Sequence, residues 1–533
     1  MSSVGQVFLV GAGPGEPGAI TLRALECLAQ ADAVLYDYLV NPSLLRWATR
    51  PHVQLISLGG HGGRERFGDE NSPDSVDPRR IMSQSEICRL LVDLARQGQT
   101  VVRLKCGDPL IFARASEEID ALRAAEIPCE IVPGITSAFA AGSYAGIPLT
   151  HRDHASAVAL VTGHPAADRA FSADESAEPV ERAVTLDWEA LAKFPGTLVV
   201  YMGTTQLEHW VGELLRYGKE PQTPVAILRR CGFSDQSMVR TTLGQLIAVA
   251  TTPKRIRPPV VFLIGSAVAA PQSSDWFTKR PLRDQTILVT RPGDDGNQVL
   301  RELELLGAQT LYWPAITIRP LDDFRELDAA IEHLSDYRWI VFNSSNGVRA
   351  FLQRLGTRGL DARALASCRL AAVGPQTAKE LAAFHLRADL VPTRFDADHL
   401  AEELVDKAGD GPCLIVRASR GRDVLIDRVR EAGIAVTQVA AYQNLDTDHV
   451  PTEIRQAMQS GKIHWVTVTS SAIADNLVRQ FGNDLRATRL ATISPLTSQR
   501  IRVHGFEVAA EAKVATVPGV VDAILAATVD SKT

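Results

Sequence analysis

Short apolar runs rich in β-branched residues alternate with segments of helical periodicity along the whole chain. Residues 7–11 and 33–36 have the pattern of buried strands, and residues 21–30 between them have helical spacing. Residues 85–96 place their apolar side chains at i, i+3, i+4 and i+7, which defines one face of a helix. Repeated alternation of this kind predicts an α/β architecture.

The length of the chain predicts more than one domain. A single hydrophobic core rarely grows past ~250–300 residues, and this chain has 533. Its 45% hydrophobic and 22% charged residues are ordinary for a soluble globular protein. A formal charge of −6 gives no electrostatic footprint for nucleic acid, so an anionic ligand would be held by local arginines and backbone N–H groups.

Hydropathy and cysteine usage predict a cytoplasmic protein without membrane contact. The longest strongly apolar run, residues 260–270, is shorter than the ~20 residues that cross a bilayer. No basic residue precedes Arg23, so the start does not have the pattern of a signal peptide. The seven cysteines are odd in number and contain no C-x-x-C, which predicts reduced thiols. The motif HRDH at 151–154 has no Cys or further His nearby, so no metal site is predicted there.

Three polar stretches interrupt the α/β pattern. Residues 61–83 and 165–182 are predicted to be surface insertions. Residues 270–284 are polar and separate an apolar strand from a new strand at 286–290. The predicted division of the chain is an N-terminal domain, a linker and a C-terminal domain, at residues 1–270, 271–284 and 285–533.

The C-terminal half contains an internal similarity. WIVFNSS at 339–345 resembles WVTVTSS at 465–471, and LAAVGPQT at 370–377 resembles LATISPLT at 490–497. Any two strand–loop–helix units look somewhat alike, which is the simpler interpretation. Two matches in the same order favour two lobes of related build, and a cleft between lobes is a usual place for a small molecule.

The first loop, GAGPGEPG at 11–18, is rich in glycine. A dinucleotide site is one interpretation, because Asp37 ends the second strand where a ribose-binding acid would lie. However, G-x-G-x-x-G would need glycine at Glu16, and Pro14 and Pro17 each remove an N–H donor. A tight turn without any ligand is a further interpretation of this loop.

Three later loops also follow predicted strands. They are VVRLKCGDP at 101–109, VPGITSA at 132–138 and LVVYMG at 198–203. Each alone is more typical of a structural turn than of a site. Because ligands of open α/β sheets bind beyond the carboxyl ends of strands, the four loops together predict a small-molecule site.

These stretches resemble the uroporphyrinogen-III C-methyltransferases of the tetrapyrrole methylase superfamily, over about residues 4–271. The matching segments are VGAGPGEPGAITLRA, ADAVLYDYLV, VVRLKCGDP, PGITSAFAAGSYAGIPLTHR, TLVVYMG and TPVAIL. The resemblance implies a two-lobed methylase domain that uses S-adenosylmethionine as methyl donor. It is compatible with a homodimer through this domain.

The resemblance also implies which residues act. Asp37 takes the position of the proton acceptor, a role that suits a carboxylate. Methyl transfer to a pyrrole carbon is an in-line displacement, so most of the advantage would come from alignment. The resemblance implies that the cofactor is bound by Pro14, Cys106, Gly107, Asp108, Ile111, Thr136, Ser137, Met202, Ala226 and Cys231.

The sequence departs from the family pattern at three places. Cys106 stands where Gly-Gly-Asp-Pro would have glycine, and Cys231 stands at the usual Gly-Thr. The family's lysine after the third strand aligns with Gly60, with His61 or Arg64 as candidate replacements. These departures weaken the predicted roles of proton donor and proton acceptor more than they weaken the prediction that the domain binds S-adenosylmethionine.

The C-terminal half also places hydroxyl groups after apolar strands. Hydroxyls and N–H groups at helix N-termini suit carboxylates, although helix capping alone favours the same residues. Residues 286–525 resemble the uroporphyrinogen-III synthases, which implies a bilobal α/β domain without a cofactor, and Tyr442 as the acid. The candidate substrate-binding residues are Thr290, Arg291, Ser344, Ser345, Gly374, Thr377, Ser470, Ser471 and Thr497.

The two resemblances together imply a bifunctional enzyme of tetrapyrrole biosynthesis. Its expected reactions are cyclisation of hydroxymethylbilane, with inversion of one ring, to uroporphyrinogen III, and double methylation of that product to precorrin-2. The expected partners are these small molecules, with no nucleic acid and no membrane. The alternative is a methylase of another substrate in the same superfamily, followed by a C-terminal domain that binds a tetrapyrrole without catalysis.

Overall fold

A computed structural model of the chain describes residues 4–50, 52–59, 82–163, 186–253, 255–269, 276–395, 397–408, 411–421 and 423–530. The predicted insertion at 165–182 lies outside these residues, and so do residues 61–81 of the predicted insertion at 61–83. Gly60, His61 and Arg64 lie outside them as well. The described residues form four sheets of five strands each.

The first sheet is entirely parallel, with the order β3-β2-β4-β1-β5. Its strands are β1 Gln6–Gly11, β2 Ala33–Tyr36, β3 Gln54–Ser57, β4 Thr100–Lys105 and β5 Cys129–Val132. Its helices are α1 Leu22–Ala29, α2 Gln84–Arg96 and α3 Ala115–Ala124. Helices α2 and α3 pack on one face and α1 on the other. Helix α2 begins with a capping box between Ser83 and Glu86, which satisfies its first N–H groups.

The second sheet has the order β6-β7-β10-β8-β9. Strands β6 and β7 are parallel, and the other neighbouring pairs are antiparallel. Its strands are β6 Val158–Thr162, β7 Thr197–Tyr201, β8 Pro224–Arg229, β9 Ser237–Thr242 and β10 Val260–Ile264. The helices of this region are α4 Ser137–Ala145, α5 Trp188–Lys193, α6 Leu207–Arg216 and α7 Leu246–Thr251. Helix α4 covers the face towards the first sheet, and α5, α6 and α7 cover the other face.

The C-terminal half has two lobes, and the second is inserted into the first. The first lobe holds the parallel strands β11 Thr286–Val289, β12 Gln309–Tyr312, β18 Trp465–Val468, β19 Arg489–Thr492 and β20 Ala510–Glu511. The second lobe holds β13 Ile316–Arg319, β14 Trp339–Phe342, β15 Arg369–Ala372, β16 Cys413–Ala418 and β17 Val436–Asp446. The sheet orders are β12-β11-β18-β19-β20 and β13-β17-β16-β14-β15.

Helices surround both of these sheets. The first lobe has α8 Gly293–Leu305, α14 Thr452–Gln459, α15 Ser471–Phe481, α16 Pro495–Val503 and α17 Val517–Asp530. The second lobe has α9 Arg325–Glu332, α10 Ser345–Thr357, α11 Pro375–Ala383, α12 Ala397–Ala408 and α13 Val424–Glu431. The predicted fold class, a two-lobed α/β domain followed by a bilobal α/β domain, is confirmed.

The internal similarity corresponds to one equivalent unit in each lobe. Strands β14 and β18 both begin at a fully buried tryptophan, Trp339 and Trp465. Two residues after each strand ends, a serine caps the next helix. Ser344 Oγ accepts a hydrogen bond from Gly347 N at 3.0 Å, and Ser470 Oγ accepts one from Ile473 N at 3.2 Å. The repeat therefore reflects the same strand-to-helix turn used twice.

The predicted linker at 271–284 is described from residue 276 onward, and this part is packed. The ring of Phe277 is buried and stacks on Tyr144 of α4, with centroids 4.4 Å apart. Arg283 Nη2 donates a hydrogen bond to Gln236 O at 2.9 Å. Residues 276–283 thus contact the N-terminal half, although Leu282 packs in the core of the first C-terminal lobe, and the domain boundaries themselves stay a prediction.

A cluster of charged side chains is buried between the first sheet and α3. Arg103 and Lys105 alternate with apolar residues along β4, so both point to the same face. Lys105 Nζ contacts both oxygens of the fully buried Glu118, at 2.9 and 2.8 Å, and Arg103 Nε donates to Glu118 Oε1 at 3.0 Å. Burial, and then the neighbouring charge of Arg103, lowers the pKa of Lys105.

This cluster predicts a large effect of one substitution. Glu118→Ala leaves two buried cations without their shared carboxylate, so we expect a loss of about 3–5 kcal/mol in the free energy of unfolding, measured by urea denaturation. The matched control is Asp120→Ala, which removes an exposed carboxylate paired with Arg123 on the same helix and should cost at most about 1 kcal/mol. Equal losses in the two variants would contradict the prediction.

Candidate functional site

The loops that follow β1, β4 and β5 are in direct backbone contact. Gly107 N donates to Gly13 O at 2.8 Å, and Gly13 N donates to Gly107 O at 3.2 Å. A methyl group built on Gly134 would lie 2.2 Å from Gly107 O, and one built on Gly11 would lie 2.6 Å from Gly134 Cα. Glycine is required here because any side chain would separate the loops.

The carboxylate of Asp108 links two of these loops. Its Oδ1 accepts a hydrogen bond from Leu110 N at 2.9 Å, and its Oδ2 accepts one from Gly134 N at 3.1 Å. Ile111 N donates to Asp108 O at 3.3 Å and completes the turn. Asp108 therefore fixes the shape of the loop after β4 against the loop after β5.

The end of β7 in the second sheet contacts the beginning of α4. Tyr201 Oη lies 2.6 Å from Thr136 Oγ1 and accepts a hydrogen bond from Ala138 N at 2.9 Å. The next residue, Met202, has a left-handed backbone with φ 53° and an exposed side chain. A non-glycine residue in this conformation is strained, and such strain is concentrated at functional sites.

The loop after β8 contacts the first glycine-rich loop. A methyl group built on Gly232 would lie 3.0 Å from Glu16 N and 3.2 Å from Pro14 O. The neighbouring Cys231 is buried, and burial raises the pKa of its thiol. Ala226 is buried in the same apolar cluster as Cys231, which also includes α4. The thiol is therefore kept protonated in an apolar slot, not activated as a nucleophile.

The structure thus places the predicted cofactor-binding residues around one junction between the two sheets. Five strand ends contribute to it, from β1, β4, β5, β7 and β8. The residues at or after these strand ends are Pro14, Cys106, Gly107, Asp108, Ile111, Thr136, Ser137, Met202 and Cys231, whereas Ala226 lies within β8.

Asp37 lies beside this junction and has a partner that the motifs did not indicate. Arg103 Nη2 donates to Asp37 Oδ1 at 2.5 Å, and Cys106 N donates to Asp37 Oδ2 at 3.4 Å. The Asp37 side chain is 31% exposed, while Arg103 is buried. Burial opposes the charge of Arg103, but Asp37 and Glu118 outweigh it and raise the pKa of Arg103. The sequence feature that could have indicated this partner is the charged Arg103 among the apolar residues of β4.

In the C-terminal half, Tyr442 lies on β17 and packs in the core of the second lobe. Its Oη is 3.0 Å from Ser344 Oγ at the start of α10, and the side chain is buried. Burial raises the pKa of Tyr442, whereas Ser344 and Arg291 of the first lobe act in the opposite direction. Tyr442 is therefore a buried residue of the second lobe whose hydroxyl lies against Ser344.

The hydroxyls predicted to bind substrate are largely occupied within the protein. Ser344 and Ser470 cap helices, as the simpler interpretation had it. The side chains of Thr290, Thr377 and Thr497 are buried, and Thr290 Oγ1 donates to Thr467 O. Gly374 is buried too, while Arg291, Ser345 and Ser471 stay partly exposed. An anion would therefore meet the backbone N–H groups of the helix starts rather than most of these hydroxyls.

Two further properties concern metals and membranes. Among the residues that the structure describes, no group of three or more His, Cys, Asp or Glu side chains is placed to hold a metal ion. Across the same residues, no helix combines the length and the apolar character needed to cross a membrane.

The close contact of the glycine loops predicts that a methyl group at Gly134 destabilises the protein, whereas one at an uncrowded helical glycine does not. Gly134→Ala should lower the free energy of unfolding by about 1–3 kcal/mol, because its methyl group overlaps backbone atoms. Gly212→Ala on α6 is the control: a methyl group there meets nothing within 4 Å, so it should stabilise the helix by about 0.5–1 kcal/mol. Urea denaturation measures both changes. A stable Gly134→Ala variant would contradict the contact.

The fold and this site define a class of protein. A parallel sheet whose strand-end loops meet a second, mixed sheet forms a small-molecule site of an α/β enzyme, and a separate bilobal α/β module follows it in the chain.

Comparison with known proteins identifies the family. The chain matches the family described as Tetrapyrrole (Corrin/Porphyrin) Methylases over residues 6–247, and the family described as Uroporphyrinogen-III synthase HemD over residues 297–522. It is 32% identical to the porphyrin biosynthesis protein HemD of Ruminiclostridium josui over 475 residues, which cover 89% of this chain and 88% of that protein.

Two further relatives match shorter parts. The uroporphyrinogen-III C-methyltransferase of Bacillus subtilis is 36% identical over 377 residues, 71% of each chain. The siroheme synthase of Sodalis glossinidius is 42% identical over 281 residues, 53% of each chain. The chain belongs to the family of fused tetrapyrrole methylases and uroporphyrinogen-III synthases, and it is a bifunctional enzyme of tetrapyrrole biosynthesis. The resemblance predicted from the sequence is confirmed.

Proposed function

We propose that the C-terminal half converts hydroxymethylbilane into uroporphyrinogen III and that the N-terminal half methylates this product twice, giving precorrin-2. The observation that supports the methylation most strongly is the meeting of five strand ends at one junction, with Asp37 beside it. The membership of both halves in tetrapyrrole families supports the pairing of the two reactions.

The residues at the junction suit S-adenosylmethionine, whose sulfonium would supply the methyl group. The glycine contacts hold the backbone N–H and C=O groups of the loops close together, with no side chain of Gly11 or Gly134 between them. Ala226 and Cys231 provide a buried apolar wall, and Thr136 adds a hydroxyl held by Tyr201. An apolar slot with a few fixed polar groups is the usual composition of such a site.

Asp37 is our candidate for the proton acceptor in methylation. Arg103 binds one carboxylate oxygen from the buried side, which fixes the orientation of the group. The exposed third of the side chain leaves Asp37 accessible to a substrate at the junction. A carboxylate held in one orientation is suited to accept the proton that the tetrapyrrole releases from another position once one of its pyrrole carbons is methylated.

A coupled assay tests both reactions at once. Incubation of the full chain with hydroxymethylbilane and S-adenosylmethionine should yield precorrin-2, identified by its absorbance spectrum and mass. Asp37→Asn should accumulate uroporphyrinogen III, with methylation slower by about 100-fold, the usual scale for loss of a general base. Its affinity for S-adenosylmethionine, measured by calorimetry, should stay unchanged. Wild-type methylation rates in this variant would exclude the proposed role of Asp37.

For the synthase reaction, the arrangement of helices suits an acidic substrate. Helices α10, α11, α15 and α16 begin directly after β14, β15, β18 and β19, so their N–H groups point beyond the carboxyl ends of the strands. Helix N-termini favour carboxylates. Burial raises the pKa of Tyr442 in the second lobe, and Arg291 of the first lobe, which is ion-paired with Asp295, acts to lower it. These groups would fix the conformation of the bilane, and holding that conformation is the main demand of the reaction.

Tyr442 is our candidate for the acid that assists departure of the hydroxyl group. Tyr442→Phe removes one oxygen from a buried site, so we expect slower ring closure by about 10-fold or more and a larger share of the type I isomer. The control is Tyr337→Phe, because Tyr337 precedes β14 and so lies at the end of that strand remote from Ser344. Chromatography of the oxidised porphyrins measures the rate of closure and the share of the type I isomer, and the control should change neither. If the wild-type chain itself yields only the type I isomer, the C-terminal half is a tetrapyrrole-binding domain without catalysis.

A further inference from the structure

The segment at residues 276–283, which we call the connecting segment, lies between the two regions that match known families. Trp276 Nε1 donates a hydrogen bond to Ser143 O of α4 at 3.1 Å. The adjacent Phe277 stacks on Tyr144 of the same helix. Helix α4 begins at the junction of the two sheets, so the connecting segment contacts the C-terminal end of the helix whose N-terminal end lies at the proposed cofactor site.

The same segment reaches the first glycine-rich loop through an ion pair. Arg280 Nη2 donates to Glu16 Oε2 at 3.1 Å, and both side chains are mostly buried. The guanidinium carbon of Arg280 also lies 3.8 Å from the centre of the Phe277 ring. Burial raises the pKa of Glu16, and Arg280 opposes this shift. Glu16 therefore depends on Arg280 to carry its charge in this position.

A third contact joins the connecting segment to the loop after β8. Arg283 Nη2 donates to Gln236 O at 2.9 Å. The buried Gln236 accepts a hydrogen bond from Gly232 N at 2.9 Å, and its Nε2 donates to Tyr144 O at 3.4 Å. Gly232 is the residue that approaches the first loop. One segment thus contacts three of the elements that meet at the proposed cofactor site.

The C-terminal half holds the connecting segment from its other side. Arg280 Nη1 donates to the carbonyl oxygen of Glu304 on α8 at 3.2 Å. The carboxylate of Glu304 receives two hydrogen bonds from Arg46, at 2.6 and 2.9 Å, and both side chains are buried. Arg46 lies in the short turn Pro42–Trp47 that follows β2 and Asp37. A buried bidentate pair of this kind fixes the orientation of both partners.

We propose that Arg280, held by Glu304, is a positioning residue for the cofactor site, so that the affinity of the methylase half for S-adenosylmethionine depends on its contact with the C-terminal half. The inference rests on the proposed cofactor site. Loops that are already ordered lose less entropy when a ligand binds, and therefore bind it more tightly. The ion pair between Arg280 and Glu16 is the part of this contact that reaches the cofactor loop itself.

Steady-state kinetics of the full chain tests the inference. Arg280→Gln and Glu16→Gln should each raise the KM for S-adenosylmethionine by about tenfold, with kcat within about twofold of wild type. The double variant should be no worse than either single variant, because all three lose the same interaction. Production of uroporphyrinogen III from hydroxymethylbilane should stay at the wild-type rate. Arg325→Gln is the matched control, since it removes an exposed ion pair with Asp323 and should change neither KM nor kcat.

The possible failures can be told apart. If wild type does not bind S-adenosylmethionine in calorimetry, the proposed cofactor site is wrong, and the inference falls with it. If wild type binds it and both single variants keep the wild-type KM and affinity, the inference alone is overturned. Additive effects in the double variant would also overturn it. If Arg280→Gln loses the synthase activity through misfolding, Glu16→Gln, which exchanges one oxygen for an amide nitrogen, decides by its KM.

Discussion

The backbone contact among Gly11, Gly107 and Gly134 is the constraint on which the rest of the N-terminal site depends. Three strand ends of one parallel sheet approach so closely that a single methyl group would separate them. This approach brings the loop of Asp108 against the beginning of α4. At the same junction, Tyr201 of the second sheet is hydrogen-bonded to Thr136 just before α4. The polar groups of the site therefore owe their positions to the absence of side chains at Gly11 and Gly134.

Beneath this junction, the sheet and α3 enclose charged side chains that pair with one another. Arg103 and Lys105 are enclosed by the sheet and α3, where unpaired cations would cost several kcal/mol each, and Glu118 compensates both. The same Arg103 extends to Asp37 at the surface of the site. A structural cluster and a candidate catalytic group thus share one guanidinium, which couples the packing of α3 to the orientation of Asp37.

Local patterns predicted the elements well, because hydrophobic periodicity depends on neighbouring residues alone. The strands expected at 7–11 and 33–36 are observed as β1 Gln6–Gly11 and β2 Ala33–Tyr36, and the helix expected at 85–96 is α2 Gln84–Arg96. The pairing of Arg103 with Glu118 was not predictable in this way, because it arises when α3 packs on the sheet. The polar composition of 271–284 likewise did not indicate the packing of Phe277 on Tyr144.

The sequence by itself determined the α/β class, the glycine-rich loops at strand ends, the repeated unit of the C-terminal half and, through its motifs, the family. Only the tertiary structure decided which polar side chains are free to act. Ser344 and Thr290 have the right residue types for a ligand, yet one caps a helix and the other is buried against Thr467. The physical reason is that periodicity and turn chemistry are local properties, whereas burial and ion pairing depend on residues far apart in the chain.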